Sequence, residues 1–387
     1  MPNFPKKLRQ RLEKRKNENA LRKLSNYKDL VDFSSNDYLG LAREKKIQRQ
    51  AEGMMLESAC SNGATGSRLL TGHYPLLEEL EAVLAHFHKA QTALVFNSGY
   101  DANLGFFSSV PQRNDIVLYD ELSHASIRDG IALGNAKSYK FKHNDLKDLN
   151  EKIAMSLRAQ SRSEDSEIYV VTESVFSMDG DSPDLGAMAD YCAKHKLCLI
   201  VDEAHAVGVL GQGRGLVAEL DLEEKVFARL VTFGKALGCH GAAILGANGL
   251  KTYLINFARS LIYTTALPPH TTASIIAAYK LLDAPEGKEK RERLYNLIQR
   301  FRSIVSEYGL QDLFLSSDSA IQVAVLGGNK RVRHCAEILM QNGFDVRPIL
   351  APTVAKGYER LRICLHDYNT RQEIRTVLEL ISKFGNG

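Results

Sequence analysis

Residues 197–205 read Leu197-Cys-Leu-Ile-Val-Asp202-Glu-Ala-His205, a short run that is apolar throughout and then turns to an acid and a histidine three residues apart. A half-solvated strand alternates apolar and polar residues. A run that is apolar at every position is the mark of a strand covered on both faces, as in a mainly parallel sheet. Strand-like apolar runs also occur at Ala93–Phe96, Asp115–Tyr119, Glu167–Thr172, Arg229–Phe233 and Gly241–Leu245, several of them apolar throughout, and helical stretches such as Tyr74–His88 and Leu185–His195 separate many of them. This alternation predicts an open α/β sheet that binds its ligands at the carboxyl ends of the strands.

Outside this region the texture changes. Beyond Pro268-Pro269 a charged helical stretch over 285–308 precedes strands near 320–326, 345–348 and 360–365, with helices over 331–342 and 370–384. Ahead of the sheet, residues 6–24 predict a basic helix with Leu8, Leu12, Leu21 and Leu24 roughly on one side, and Leu30–Phe33 a short strand. The expected division is an N-terminal helix and arm over 1–37, a large α/β domain over 38–270 and a smaller α+β domain over 271–387. At ~150 residues per domain, a chain of 387 residues holds two or three.

Composition excludes several classes. Hydrophobic residues at 44% and charged residues at 25% form an ordinary globular balance, which excludes wholesale disorder. A net charge of +4 from 50 basic and 46 acidic residues calls for neither nucleic acid nor a membrane as partner. The cysteines at 60, 192, 198, 239, 335 and 364 form no CxxC and no Cys/His pairing at zinc spacing, so no metal site and no disulfide framework is expected. The first residues carry no apolar signal core, and the uncharged stretch over 260–279 is broken by Pro268 and Pro269; a soluble, cytoplasmic protein is expected.

Three strand ends carry unusual polar residues. In Phe96-Asn-Ser-Gly-Tyr-Asp-Ala-Asn103 a strand runs into a helix start, so Ser98, Gly99 and Tyr100 would offer unpaired backbone N–H groups at its positive end. Asp202 and His205 precede a glycine-rich loop and look like a ligand-facing pair. The string DEAH also occurs in nucleotide-driven helicases, but no GxxxxGK[ST] loop lies upstream, and the glycine loop is not GxGxxG. In Val231-Thr-Phe-Gly-Lys235-Ala-Leu-Gly238 a lysine flanked by glycines follows an apolar strand, where it can form a Schiff base with a carbonyl cofactor. A phosphate seat, an acid and a lysine on neighbouring strand ends are what pyridoxal 5′-phosphate requires.

At these residues the sequence resembles the α-oxoamine synthases, a branch of the fold-type I pyridoxal phosphate enzymes. The resemblance runs from about residue 21 to 381 and rests on FSSNDYLGLA (33–42), GATGSRLLTG (63–72), ELSHASIRDG (121–130), TESVFSMDGD (172–181), VDEAHAVGVLGQGRG (201–215), TFGKALG (232–238) and RLRICLH (360–366). The segments 232–246 and 258–269 look most like the branch that joins L-alanine to a pimeloyl thioester. Serine with a long-chain acyl thioester, or glycine with acetyl-CoA, is the alternative pairing. The resemblance implies an α/β fold with a mostly parallel seven-stranded sheet and a smaller C-terminal domain. It also implies a decarboxylative condensation of an amino acid with an acyl thioester in a homodimer with shared active sites.

The resemblance also implies residue roles. Lys235 would carry the cofactor and move the substrate's α-proton, Asp202 would pair with the pyridine nitrogen and His205 with the phenolic oxygen, and His124 would stack on the ring and touch the substrate. Gly99, Tyr100, Ser177 and Thr232 would surround the cofactor, while Thr264 and Thr265 would reach the phosphate in a neighbouring subunit. Arg22, Asn36 and Thr353 align with substrate-contacting positions, and Arg362, with Arg360 in reserve, would hold the amino acid's carboxylate. The chain departs from the family pattern at Ala206, at Cys239-His240 and in the loop 349–355, where Leu350, Ala351 and Ala355 replace an arginine and two prolines.

Overall fold

The computed structural model describes residues 4–22, 24, 29–58, 60–160 and 166–385, which form two compact units. The larger comprises residues 36–177 and 181–293. Its sheet has seven strands: β1 (Thr92–Phe96), β2 (Ile116–Asp120), β3 (Lys137–Phe141), β4 (Ile168–Glu173), β5 (Cys198–Asp202), β6 (Ala228–Thr232) and β7 (Ala242–Gly246), in the order β1-β7-β6-β5-β4-β2-β3. Neighbours pair in parallel except at β7, which is antiparallel to both β1 and β6, so every other strand points the same way.

Successive residues of a strand face opposite sides, and both sides of this sheet are packed. Phe96, Val117, Tyr169, Val171, Ile200 and Leu230 join Phe106, Phe107 and Ile127 of the helices Gly99–Ser109 and Ala125–Leu133 in one core. Ile116, Leu118, Ile168, Val170, Leu199 and Val201 join Leu149, Ile153, Leu185 and Met188 in the other. Each such side chain contributes ~1.5–3 kcal/mol on burial, which explains why the inner strands are mostly apolar on both faces. The exception is β3, Lys137-Ser-Tyr-Lys-Phe141, whose first four residues are exposed; it is an edge strand with no apolar run to announce it.

One ion pair is buried at the heart of this unit. Glu203, next to the end of β5, is fully buried, and its Oε2 accepts from Arg229 Nε of β6 at 2.7 Å. The guanidinium also donates to the carbonyls of His88 at 3.1 Å and Arg214 at 2.5 Å, while Glu203 Oε1 accepts from Val217 N at 2.9 Å. The glutamate of the DEAH string is thus a structural group.

The smaller unit comprises residues 1–35, 178–180 and 294–387. Arg360–Cys364 is the central strand of a three-stranded antiparallel sheet, flanked by Arg347–Ile349 and Ile321–Val325. Val31–Asp32 pairs in parallel with Phe344–Asp345, and the helices Asn329–Gln341 and Arg371–Gly385 complete the α+β arrangement.

Two sequence expectations are corrected. The large unit ends at 293, not 270, because the helix Pro269–Asp283 packs on the helices Lys45–Glu57 and Pro75–Phe87 and buries Ile275, Ile276 and Tyr279. Residues 1–35 join the small unit rather than forming a separate arm, since the strand Val31–Asp32 is paired there. The N-terminal helix spans Lys6–Asn17 and stops where Asn19 takes a left-handed φ of 51° and Ala20 N donates back to Arg15 O. Leu8 and Leu12 on that helix are exposed.

Replacing Arg229 by Met leaves Glu203 buried without its counter-charge. The variant should lose about 3–5 kcal/mol in urea unfolding followed by far-UV circular dichroism, and Arg229→Met combined with Glu203→Gln should recover part of that loss.

Candidate active site

Because only β7 opposes the rest, the carboxyl ends of β1, β2, β4, β5 and β6 share one edge of the sheet, and a cleft of about 270 Å³ opens there. Its residues all belong to the large unit. At the end of β1, Ser98 caps the helix Gly99–Ser109, its Oγ accepting from Asp101 N at 3.0 Å. The N–H groups of the first helical turn have no acceptor within the helix. Gly99 lies so close to Thr232 that a Cβ would come within 2.7 Å of Thr232 Cγ2, and Thr232 Oγ1 is buried without a hydrogen-bond partner.

Asp202 ends β5 and is buried. Both of its oxygens are held: Oδ2 accepts from Asn103 Nδ2 at 3.0 Å and Oδ1 from Ala204 N at 3.0 Å. Asn103 also donates to Ser126 Oγ at 3.0 Å, and that oxygen lies 2.8 Å from His124 Nδ1. A polar chain thus links Asp202 to His124 through two side chains, and it fixes the orientation of both. On the other side, His205 Nδ1 lies 2.7 Å from the hydroxyl of Tyr38, which donates to Asn36 Oδ1 at 3.1 Å.

Lys235 sits in the turn between β6 and β7, closed by Gly238 N donating to Lys235 O at 2.8 Å and Cys239 N to Phe233 O at 2.7 Å. Gly238 has φ 62°, and a Cβ there would lie 2.1 Å from Ala42 N, so this turn requires glycine.

Glu173 ends β4 and stands in register with Asp202 on β5. Burial, followed by the negative charge of Asp202, pushes its carboxyl up to about 8, even though its Oε1 accepts from His124 N at 2.6 Å. His124 is shifted downward, first by burial and further by the positive charge of Lys235, with Asp202 opposing. Near neutral pH the cleft therefore holds a neutral carboxyl and a neutral imidazole.

Of the residues singled out in the sequence, Lys235, His124, Asp202, His205, Gly99, Tyr100, Thr232 and Asn36 line this cleft. Thr264 and Thr265 do not line it but are tied beside it, as Asn97 Nδ2 donates to Thr264 Oγ1 at 3.3 Å and to Thr265 O at 2.7 Å. Ser177 lies in the loop after β4, outside the lining residues. Arg22, Thr353 and Arg362 belong to the small unit. There Arg22 Nη2 is 3.5 Å from Thr353 Oγ1, and the buried Arg362 places Nη1 2.9 Å from Cys364 Sγ. The guanidinium of Arg360, named in reserve for the carboxylate, is ion-paired with Asp179 and donates to Tyr358 O at 2.9 Å. Asn103, Ser126 and Glu173 line the cleft without having been singled out. For Glu173 a signal existed, since it follows an apolar strand just as Asp202 does.

Comparison with known proteins agrees with this architecture. The model of the aminotransferase class I and II family matches residues 28–381. An 8-amino-7-oxononanoate synthase of Emericella nidulans is 39% identical over 97% of this chain and 94% of its own length. Among solved structures, the 8-amino-7-oxononanoate synthase of Francisella tularensis superposes with a TM-score of 0.75 at 30% identity, over 92% of this chain and 98% of its own. A serine palmitoyltransferase of S. paucimobilis, solved with a pyridoxal phosphate–myriocin conjugate, gives a TM-score of 0.87 at 26% identity over 98% and 97%. With a family model spanning most of its length and relatives aligned almost end to end, the chain belongs to the aminotransferase class I and II family and, within it, to the α-oxoamine synthases.

Proposed function

We propose that this chain is a cytoplasmic, homodimeric, pyridoxal phosphate-dependent acyltransferase. It joins L-alanine to a pimeloyl thioester, on CoA or a carrier protein, and yields 8-amino-7-oxononanoate, CO₂ and the free thiol. The observation that carries the reading is the meeting of Asp202, Lys235, His124 and an orphaned Thr232 hydroxyl in one cleft, in a chain whose relatives bear that enzyme's name.

The residues present fit the cofactor. A buried hydroxyl with nothing to bond, beside the free N–H groups of a helix start, suits a phosphate oxygen. A buried carboxylate fixed at both oxygens suits a ring nitrogen that must stay protonated. When bound, pyridoxal phosphate supplies an aldehyde that captures amines and a ring that withdraws electrons from the substrate's α-carbon.

The protein's own groups do the rest. Asp202, its oxygens fixed by Asn103 and Ala204 N, would hold a proton at the cofactor's ring nitrogen. Lys235 Nζ would hold the cofactor by its aldehyde and, once displaced by the substrate's amino group, would be the base placed to take the α-proton. His124, neutral and tethered through Ser126, would stack its imidazole on the cofactor's ring. Glu173 keeps its proton and so adds no second negative charge beside Asp202. His205 serves the phenolic oxygen, with Asn36, Arg22 and Thr353 contacting substrate and Arg362 holding its carboxylate. Gly99, Tyr100 and Ser177 complete the cofactor's surroundings, and Thr264 and Thr265 reach across to the neighbouring subunit's phosphate. Alanine's α-carbon, freed of its proton, attacks the thioester carbonyl and the thiol departs; the carboxylate then leaves as CO₂ and the carbon is reprotonated. No helix among the described residues is long and apolar enough to cross a membrane.

A second reading, serine with a long-chain acyl thioester, is favoured by the higher TM-score of the serine palmitoyltransferase. The two separate by product mass. With pyridoxal phosphate, L-alanine and pimeloyl-CoA the protein should form 8-amino-7-oxononanoate, and Lys235→Ala should abolish it; faster CoA release from serine and palmitoyl-CoA would transfer the assignment. Glu173 supports a second test, on the protein without cofactor. Its carboxyl ionises near 4.5 in the unfolded chain but only near 8 in the fold, so its contribution to stability is whole below 4.5 and is lost as pH rises towards 8. Glu173→Gln should therefore match wild type in unfolding free energy at about pH 4.5 and exceed it at pH 8, by on the order of a few kcal/mol in urea unfolding.

A further inference from the structure

Nineteen residues beyond His124 in the chain, His143 occupies an unusual position. It follows β3, and its two ring nitrogens each face a carboxylate: Nδ1 lies 2.9 Å from Asp120 Oδ1 and Nε2 lies 2.8 Å from Asp181 Oδ2. A neutral imidazole has one N–H and one lone pair. It could donate to one of these acids only by turning a lone pair towards the other; with a carboxylate oxygen within 2.9 Å of each nitrogen, and the Asn144 amide nitrogen farther from Nε2 at 3.3 Å, the arrangement favours a proton on both nitrogens. The electrostatics agree: burial alone would lower its pKa, but the hydrogen bonds and charges of Asp120 and Asp181 raise it to about 10. The ring also stands edge-on to Phe176, centroids 4.5 Å apart.

What the two acids hold gives the cluster its meaning. Asp120 ends β2 and opens the loop to His124. Its carboxylate accepts from Leu122 N at 2.8 Å and Asn144 N at 2.9 Å, and its carbonyl from Ser123 N at 3.0 Å. Asp181 closes the loop after β4, its carbonyl accepting from Phe176 N at 2.9 Å and its Oδ2 from Asn144 Nδ2 at 2.7 Å. That same β4 ends in Glu173, which grips the backbone N–H of His124. His143 therefore bridges the two segments between which His124 is suspended.

We propose that His143 is a positioning residue, which pins the loop of Asp120 to the loop of Asp181 and so fixes where His124 stands in the cleft. The proposal rests on the cofactor reading above, but the pinning itself is a property of the protein alone. Removing the cation leaves two carboxylates facing each other across a gap, and their repulsion loosens the loop that carries His124.

The test begins on the cofactor-free protein at pH 8 with ¹⁵N imidazole NMR, assigning His143 by its loss in His143→Gln. Both of its nitrogens should be protonated, and the His124 ring signals should shift or broaden in the variant. On the loaded enzyme His143→Gln should lower kcat for the condensation by tenfold or more, reduce the visible circular dichroism of the bound cofactor and add little to the loss already caused by His124→Ala, as groups acting in one unit do. Should His143→Gln not fold, Asp181→Asn removes one arm of the clamp and should move the same His124 signals. A singly protonated His143 at pH 8, unmoved His124 signals in a folded variant, or losses that multiply in full would each overturn the proposal. If wild type makes no product from L-alanine and pimeloyl-CoA, the function reading fails, while the NMR on the cofactor-free protein still decides the role of His143.

Discussion

A sheet packed on both faces can expose polar groups only at the ends of its strands, and this constraint organises the molecule. Every inner strand is surrendered to the two cores, so the residues that can do chemistry gather where strands stop. The near-uniform strand direction then brings the ends of β1, β2, β4, β5 and β6 to one edge. The consequence is visible within a single motif. Asp202 ends its strand facing the cleft, whereas Glu203, one residue on, is buried against Arg229. Adjacent acids of one string thus have different fates, one available to a ligand and one holding the fold.

Crowding charges at one edge creates an electrostatic problem that the site resolves locally. Glu173 and Asp202 stand in register on neighbouring strands, and two ionised carboxylates in so buried a place would repel. Glu173 keeps its proton instead, and the N–H of His124 takes up its oxygen. Asp202 is held by an amide and a backbone N–H, each a donor that carries no net charge. Asn103 touches both Asp202 and Ser126, so the acid and the imidazole that flank the cleft share one support.

Much of this was legible in the sequence, and the rest was hidden for identifiable reasons. Six strands announced themselves by apolar runs, and their polar ends named Asp202, His205, Lys235 and the Ser98–Tyr100 turn. The seventh, Lys137–Phe141, did not, because an edge strand with exposed residues has no core to match. The unit boundary at 293 was concealed by a helix, Pro269–Asp283, whose attachment is decided by what it packs against rather than by local texture. Arg360 and Arg362 share a strand and a charge, and the ion pair of Arg360 is made with Asp179, 181 positions away in the chain. The pairing of His143 with two acids was not legible, since its partners lie 23 and 38 positions away in the chain.

The proposed function makes Lys235, which lines the cleft, the group that takes the cofactor. The direct measurement is to load the protein with pyridoxal phosphate, reduce it with borohydride and map the modified peptide by mass spectrometry. The account predicts a pyridoxyl tag on Lys235 and its loss in Lys235→Ala. A tag on a different lysine, or none on a folded protein, would contradict it.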